Sequence, residues 1–492
     1  MIASFGVDAA LLAAIAKLSR DPRVRYAEVR FTDENVETIR LRATTRGRAD
    51  NVGSFRSRGV GIRVLGEKTW GFASTASIDE ASIMAAVERA VKIAHASSGI
   101  TDRAAPFPLG EARRGTYATK TKIDPRSISV EDKIAALDGP LATMLHGGGE
   151  VKSAEARMEW RRLEKRLLTT EGTDVTQSFV IGACGMRAVA VSDTGDAETR
   201  SYPTWEGCDG FQGGWERIGA LDLPGNAERV RDEAVALLRA PRCPSGEIDL
   251  ILESSQVALQ IHESCGHPTE LDRALGTEIT LAGGSFLQPS MMGKLRYGSD
   301  IVTLTADSVA EGGLGTFGWD DEGMPAGTHV LVDRGVFTDW LSSRETAASI
   351  GRPSTGTMRA SGWDRTPLIR MTNVSLAARE GSLDDLIADT KHGILMATDK
   401  SWSIDDQRLD FHFACEIGWE IENGKKTRIV KNPMYGGSTP AFWGSCDAVC
   451  GPEEWKLWGI NTCGKGEPMQ AIGVGHGAAP ARFRGVKVGG GA

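Results

Sequence analysis

Positive charge is in short supply. Lys and Arg number 57 against 65 Asp and Glu, so the 492-residue chain carries a net charge of −8 and a pI near 5.7. That balance repels a phosphate backbone and makes nucleic acid a poor partner. Long apolar runs are missing as well. None approaches the roughly 18 residues of a membrane span, and the opening MIASFGVDAALLAAIAKLSR puts Asp8 ahead of its apolar stretch with no basic residue before it, the wrong order for a secretory leader. It reads as an amphipathic helix, and the chain as cytoplasmic with no membrane partner. Cysteine is thin: Cys184, Cys208, Cys243, Cys265, Cys415, Cys446, Cys450 and Cys463 are too scattered for a disulfide scaffold and are expected as thiols. Phosphate-loop signatures are absent. Gly59-Val60-Gly61 lacks a third glycine at the fingerprint spacing and reads as turn glycines, and Gly464-Lys465 lacks the surrounding pattern.

What is present is an ordinary folded composition, 41% hydrophobic and 25% charged, long enough for two or three cores. The expected fold class is α+β in two domains, 1–240 and 245–492. The first carries an internal duplication. Ala27-Glu28-Val29-Arg30 opens one β segment and Ala154-Glu155-Ala156-Arg157 a similar one; each is followed by a second alternating stretch, Gly59 to Phe72 and Cys184 to Tyr202, and then by a helix, Ile78 to Ala96 and Ala227 to Ala240. Between them Ser129 to His146 is helical, with Gly139-Pro140 expected to interrupt it and Gly147-Gly148-Gly149 to end it. The segment Ala240 to Gly246, with two prolines and a glycine, marks the boundary. Beyond it short strands dominate: Ile301 to Leu304, His329 to Val332, Val336 to Leu341, Phe411 to Ile421 and Thr427 to Lys431, with a short helix from Ser382 to Thr390. A β-rich, barrel-like domain carrying one functional helix is the expected result.

That helix follows EIDLILESSQVALQIHESCGHPTE, residues 247–270. Ile248, Leu250, Ile251 and Leu252 suit a buried strand, and Ser254-Ser255 offer oxygens to cap a helix behind it. His262, Glu263 and His267 then hold two imidazoles and a carboxylate at short spacing. On a regular helix residues five apart point about 140° apart, against about 40° for the usual i, i+4 pair. Gly266 permits unusual backbone angles and Pro268 disfavours the α region at His267, so the helix is expected to bulge and swing His267 back toward His262.

Two histidines leave a catalytic zinc one ligand short. His95 and His146 read as surface or packing residues, and His329 and His392 have no ligand-like neighbours. His412 and His476 are also read as packing or surface residues ahead of ligands. Among cysteines, Cys463 competes with the Cys446-x-x-x-Cys450 pair. A pair would give four protein ligands and a structural zinc, whereas one thiolate leaves a position for water. Cys463 precedes Gly464-Lys465-Gly466, where a flexible turn would bring the sulfur in and an ammonium would favour the thiolate.

The HESCGH sequence on a strand-then-helix frame resembles the TldD/PmbA family of metalloproteases, whose active member carries His-Glu-x-x-x-His. Asp320-Asp321-Glu322-Gly323, Arg370-Met371-Thr372-Asn373 and Asn461-Thr462-Cys463-Gly464-Lys465 follow in the family's order, and Arg58 to Ser74 looks like its first hairpin. The stretch Trp443 to Trp458 and the tail GVGHGAAPARFRG depart from it. The resemblance implies metal ligands His262, His267 and Cys463 on Zn2+, Glu263 as general base, and unfolded or extended peptides as substrate. It also implies a dimer with a TldE/PmbA-like chain or with itself. The alternative is a non-catalytic peptide- or partner-binding subunit whose metal is structural.

Overall fold

The computed structural model describes residues 6–146, 149–204, 208–279 and 283–490. Its N-terminal part opens with α1 (Asp8–Arg20), β1 (Tyr26–Thr44), β2 (Gly47–Leu65), β3 (Trp70–Thr75) and α2 (Glu80–Ser97). After β4 (Arg114–Ala118) the same order returns as α3 (Val130–Leu145), β5 (Val151–Thr169), β6 (Asp174–Val191) and β7 (Ala197–Tyr202). Then β8 (Asp209–Gln212) and α4 (Glu216–Leu221) intervene before α5 (Leu223–Arg239). The expected duplication is thus a repeated element order. The two copies fuse into one sheet, β3-β2-β1-β5-β6-β4, with β7 and β8 also on β6, and β1 and β5 pair antiparallel from Glu28↔Thr169 to Thr44↔Ser153.

Strand alternation divides the work of that sheet. On β5 the even-numbered Ala154, Ala156, Met158 and Trp160 enter a core shared with Leu137 and Leu141 of α3 and Val230 of α5. The odd-numbered Arg157, Glu159, Arg161, Leu163 and Lys165 instead face a cavity. Two local expectations fail here. Pro140 lies inside a continuous α3 rather than interrupting it: Gly139 before it has no Cβ to clash with the ring, and burial of Leu137, Leu141 and Met144 outweighs one lost hydrogen bond. Gly59 and Gly61 are not turn glycines but lie within β2, where a Cβ would sit 2.4 Å from Trp363 Cδ2 and 2.3 Å from the Trp363 carbonyl oxygen. Of the glycines expected to end α3, Gly147 and Gly148 lie outside the described residues.

The C-terminal part contains β9 (Gly246–Leu252), α6 (Ser254–Ile261), β10 (Leu304–Asp307), β11 (Thr328–Asp333), β12 (Val336–Phe337), β13 (Met358–Arg359), β14 (Leu368–Ile369) and β15 (Asn373–Leu376). It continues with β16 (His392–Ile404), β17 (Asp410–Glu422), β18 (Lys425–Lys431), β19 (Pro433–Ser438), β20 (Cys446–Val449), β21 (Lys456–Lys465), β22 (Gln470–Ala478) and β23 (Ala481–Gly490). Pairing runs β16-β9-β23-β19-β17 and returns to β16, closing a five-stranded barrel. A second sheet, β12-β11-β10-β15-β22-β21, stands beside it, and α6 packs between β16 of the barrel and β15 and β22 of the sheet. The strand expected at Ile301 to Leu304 lies at Leu304–Asp307. The strand expected through Leu341 stops at Phe337, because the Leu341 N–H turns away to Thr269 O at 2.9 Å and so anchors the segment after the motif.

The Asp320-Asp321-Glu322-Gly323 loop ties the two parts together. Glu322 accepts from Arg63 at 3.1 Å, and Asp321 accepts from Lys165 at 2.5 Å and from the Ala360 N–H at 2.8 Å, both carboxylates being buried. Among the described residues no helix is long and apolar enough to cross a membrane.

Candidate metal centre

The strand-to-helix frame forms as the apolar pattern requires, but its cap differs. Glu253 is the N-cap, accepting from Ser255 N at 2.9 Å, and the two serine hydroxyls donate to its carboxylate instead of capping the helix themselves. After Ile261 the helix widens into a π turn, His262–Gly266, closed by the His267 N–H on His262 O. An i→i+5 bond places residues five apart one above the other, which is how a six-residue motif puts both histidines on one face. The widening leaves Ser264, Cys265 and Gly266 carbonyls in need of donors. Tyr297 OH donates to Ser264 O, and Thr269 Oγ1 reaches Cys265 O and Gly266 O at 2.9 Å each.

The expected bulge is therefore present for reasons other than those the sequence suggested. Gly266 has helical angles, φ −65°, ψ −62°, and is needed for space: a Cβ there would meet Met371 Sδ at 2.0 Å. His267 likewise stays helical at φ −60°, ψ −45°. Pro268 starts a 3-10 turn, where its missing N–H costs nothing.

His262, His267 and Cys463 converge, with one donor atom from each lying within 4.8 Å of the others and all three residues buried. Cys463 Sγ is 3.7 Å from His267 Nε2. A tetrahedral ion with bonds of roughly 2.0–2.1 Å to nitrogen and 2.3 Å to sulfur needs those atoms about 3.6 Å apart, so the pair fits zinc. Cys463 reaches the site from β21, opposite Ile472 just past a register shift, and not from a flexible turn. Arg370 fixes that strand by donating to Cys463 O and to Gln470 O. Burial alone would raise the thiol, but His267, whenever it carries a proton, and Arg370 outweigh it and draw Cys463 below its ordinary value. The ammonium expected to do this, Lys465, is engaged by Asp272 at 2.8 Å and Glu270 at 3.5 Å. Cys446 and Cys450 are buried free thiols and do not belong to the group.

The histidines are oriented by partners that spacing did not reveal. Burial pushes His262, His267 and His476 below the ordinary imidazole value, so all three are neutral near pH 7. His476 Nδ1 lies 3.0 Å from Val374 O, where it must donate, leaving Nε2 to accept from His262 Nδ1 at 2.8 Å. The lone pair of His262 Nε2 then faces the site. His267 Nδ1 donates to Glu270 at 3.0 Å and frees its own Nε2 in the same way. Burial would raise the Glu270 carboxyl, but Lys465, Arg273 and His267 together hold it well below its usual value. Reading His476 as packing or surface missed this role, because its partner stands 214 residues away. His412 is exposed on β17 and His392 forms an exposed pair with Glu422.

Glu263 sits beside the three donors, Oε1 4.0 Å from His262 Nε2 and Oε2 3.5 Å from Arg408 Nη1. All four residues line a cavity of about 910 Å³ walled by the odd face of β5 on one side and by α6, β16 and β21 on the other.

A family model described as the PmbA/TldA metallopeptidase C-terminal domain matches residues 245–490, and one described as PmbA/TldA metallopeptidase domain 1 matches residues 27–94. The chain belongs to the PmbA/TldD family. The chain is similar to a metalloprotease of Methanocaldococcus jannaschii, 27% identical over 92% of this chain and 95% of the relative. A Haemophilus influenzae protein named a metalloprotease TldD homolog is 28% identical over 86% of each. In fold, this PmbA/TldD member is similar to a Bacteroides thetaiotaomicron protein described as a candidate modulator of DNA gyrase, with a TM-score of 0.77, 15% identity and 99% coverage of both chains. It is also similar to TldE of Thermococcus kodakarensis, with a TM-score of 0.69, 16% identity and coverage of 98% and 100%.

Proposed function

We propose that this chain is a TldD-like, zinc-dependent peptidase that hydrolyses unfolded or unstructured peptides, with the metal on His262, His267 and Cys463 and with Glu263 as general base. The observation that carries the reading is the convergence of two neutral histidines, a low-lying thiol and a carboxylate on the wall of one large cavity. Two imidazoles and one thiolate are a donor set suited to zinc, and three protein ligands leave a coordination position open. When bound, zinc supplies Lewis acidity for attack on a peptide carbonyl.

The chain's own residues do the rest. His476 and Glu270 hold the two imidazoles in the tautomer that points Nε2 at the site. Arg408 occupies Glu263 Oε2, leaving Oε1, the oxygen nearer His262, to take a proton from the attacking water and return it to the departing amine. Leu163, Phe179 and Leu314 line the cavity and offer apolar surface to an extended chain. A structural metal in a binding subunit is less well supported, since no fourth His, Cys, Asp or Glu joins the group among the described residues.

The reading extends to two domains, 1–240 and 245–492, and to a cytoplasmic enzyme. It would act as a dimer with a TldE/PmbA-like chain or with itself, without nucleic acid or membrane. The negative charge supports the exclusion of nucleic acid, and the likeness in fold to TldE supports pairing with a chain of that kind. The test is metal analysis of the purified protein together with hydrolysis assays. One zinc per chain, cleavage of an unstructured peptide and no cleavage of a compact folded protein are expected. Equal cleavage of both, or none with zinc bound, would count against it.

A further inference from the structure

Four carboxylates line the cavity: Glu34, Glu159, Glu263 and Asp399. Three have cations. Arg161 serves Glu34 at 3.3 Å and Glu159 at 2.6 Å, and Arg408 serves Glu263 at 3.5 Å. Asp399 is 5% exposed, and neither of its carboxylate oxygens has a hydrogen-bond partner among the described residues. The cations nearest to it in the chain and the barrel wall are engaged elsewhere. Lys400 bonds Asn432 at 2.6 Å and Glu198 at 3.4 Å, while Arg200 bonds Glu233, Thr398 and Glu416.

The backbone holds Asp399 there at some cost. A register shift between Asp399 and Ser401 breaks the β16–β17 ladder, and Thr398 is in the left-handed region at φ 59°, an outlying conformation for a β-branched residue. A buried, unpartnered carboxyl adds the cost of lost hydration. Such costs cluster where a ligand repays them. Burial, with Glu416 and Glu263 close by, pushes the Asp399 carboxyl up to about 8, as expected in negative surroundings that lack a cation. Trp402, three residues on and 39% exposed, lines the same cavity.

We propose that Asp399 is a subsite for a cationic group of the peptide, the ammonium or guanidinium of a lysine, arginine or free N-terminus. The inference rests on the cavity being a peptide site and names the substrate class: peptides bearing positive charge close to the bond that is cut. Supplying the missing cation would convert the buried carboxyl into one half of a charge-assisted pair.

Two otherwise identical unstructured peptides, one with lysine and one with norleucine, test it, each made with a free and an acetylated N-terminus. The lysine peptide is expected to exceed the norleucine peptide at least tenfold in kcat/KM with the wild-type protein. Asp399→Asn should bring that ratio near one. If acetylation lowers kcat/KM of both peptides at least tenfold while norleucine does not, and Asp399→Asn removes that effect, the cation is the N-terminal amine and the subsite stands. Calorimetry of the same peptides on the wild-type protein reads the subsite without hydrolysis. Tighter binding of lysine with no cleavage keeps the subsite and removes the peptidase reading. Equal binding of all four peptides overturns the proposal, and so does a lysine preference that survives Asp399→Asn. A second equivalent of zinc lost in Asp399→Asn would overturn it too, by assigning the carboxylate to an ion.

Discussion

His476 is placed to act through His262 on the metal proposed there, and replacing it gives a quantitative test. Removing the ring takes away the acceptor 2.8 Å from His262 Nδ1 and leaves a buried N–H without a partner. An unsatisfied buried donor costs about 1–3 kcal/mol. Loss of a partner that orients a metal-binding histidine typically costs about 10- to 100-fold in metal affinity. The two estimates agree, since a factor of 10 is about 1.4 kcal/mol. His476→Ala should therefore weaken zinc binding about 10- to 100-fold in a chelator competition titration. His476→Gln, which keeps an acceptor near the position of Nε2, should recover most of that loss. Nitrogen-detected NMR of the wild-type protein should show His262 protonated at Nδ1. Unchanged affinity in His476→Ala, or a His262 protonated at Nε2 in the metal-free protein, would refute the relay from Val374 through His476.

Other outcomes follow from the same geometry. Cys463→Ser should strip or greatly weaken metal binding, while Cys446→Ser and Cys450→Ser, singly or together, leave metal content and cleavage nearly unchanged; inductively coupled plasma analysis of the variants reads both. Gly266→Ala sets a methyl against the fully buried Met371. It should cost about 1–3 kcal/mol in urea denaturation and weaken the metal site. Met371→Ala in the same chain should restore part of both, and failure of that rescue would show that Gly266 serves backbone freedom and not space.

The sequence revealed the chemistry of the site more fully than its geometry. The apolar run Ile248 to Leu252 and the meeting of His262, His267 and Cys463 were readable because donor chemistry restricts which residue types can be expected to stand together. The two-copy N-terminal sheet was also legible, from alternation and helix periodicity at similar intervals. What stayed hidden depends on contacts across long stretches of chain. Gly59 and Gly61 make room for Trp363, Gly266 makes room for Met371, and His476 meets His262, and none of these pairs shares a local pattern. Pro140 misled for a related reason: a local breaker was overruled by burial of the helix face around it. The barrel was expected only in outline, because closure depends on β16 pairing with both β9 and β17, and nothing in any one strand records that.

The central claim is that the two histidines and Cys463 hold the ion while Glu263 moves the proton. Glu263→Gln separates those roles in one protein. Metal content and hydrolysis of an unstructured peptide, measured on the same preparation, are expected to show about one zinc per chain retained and turnover reduced about 100- to 10,000-fold. Retained turnover would contradict the general-base role, and loss of the metal would make Glu263 a ligand instead.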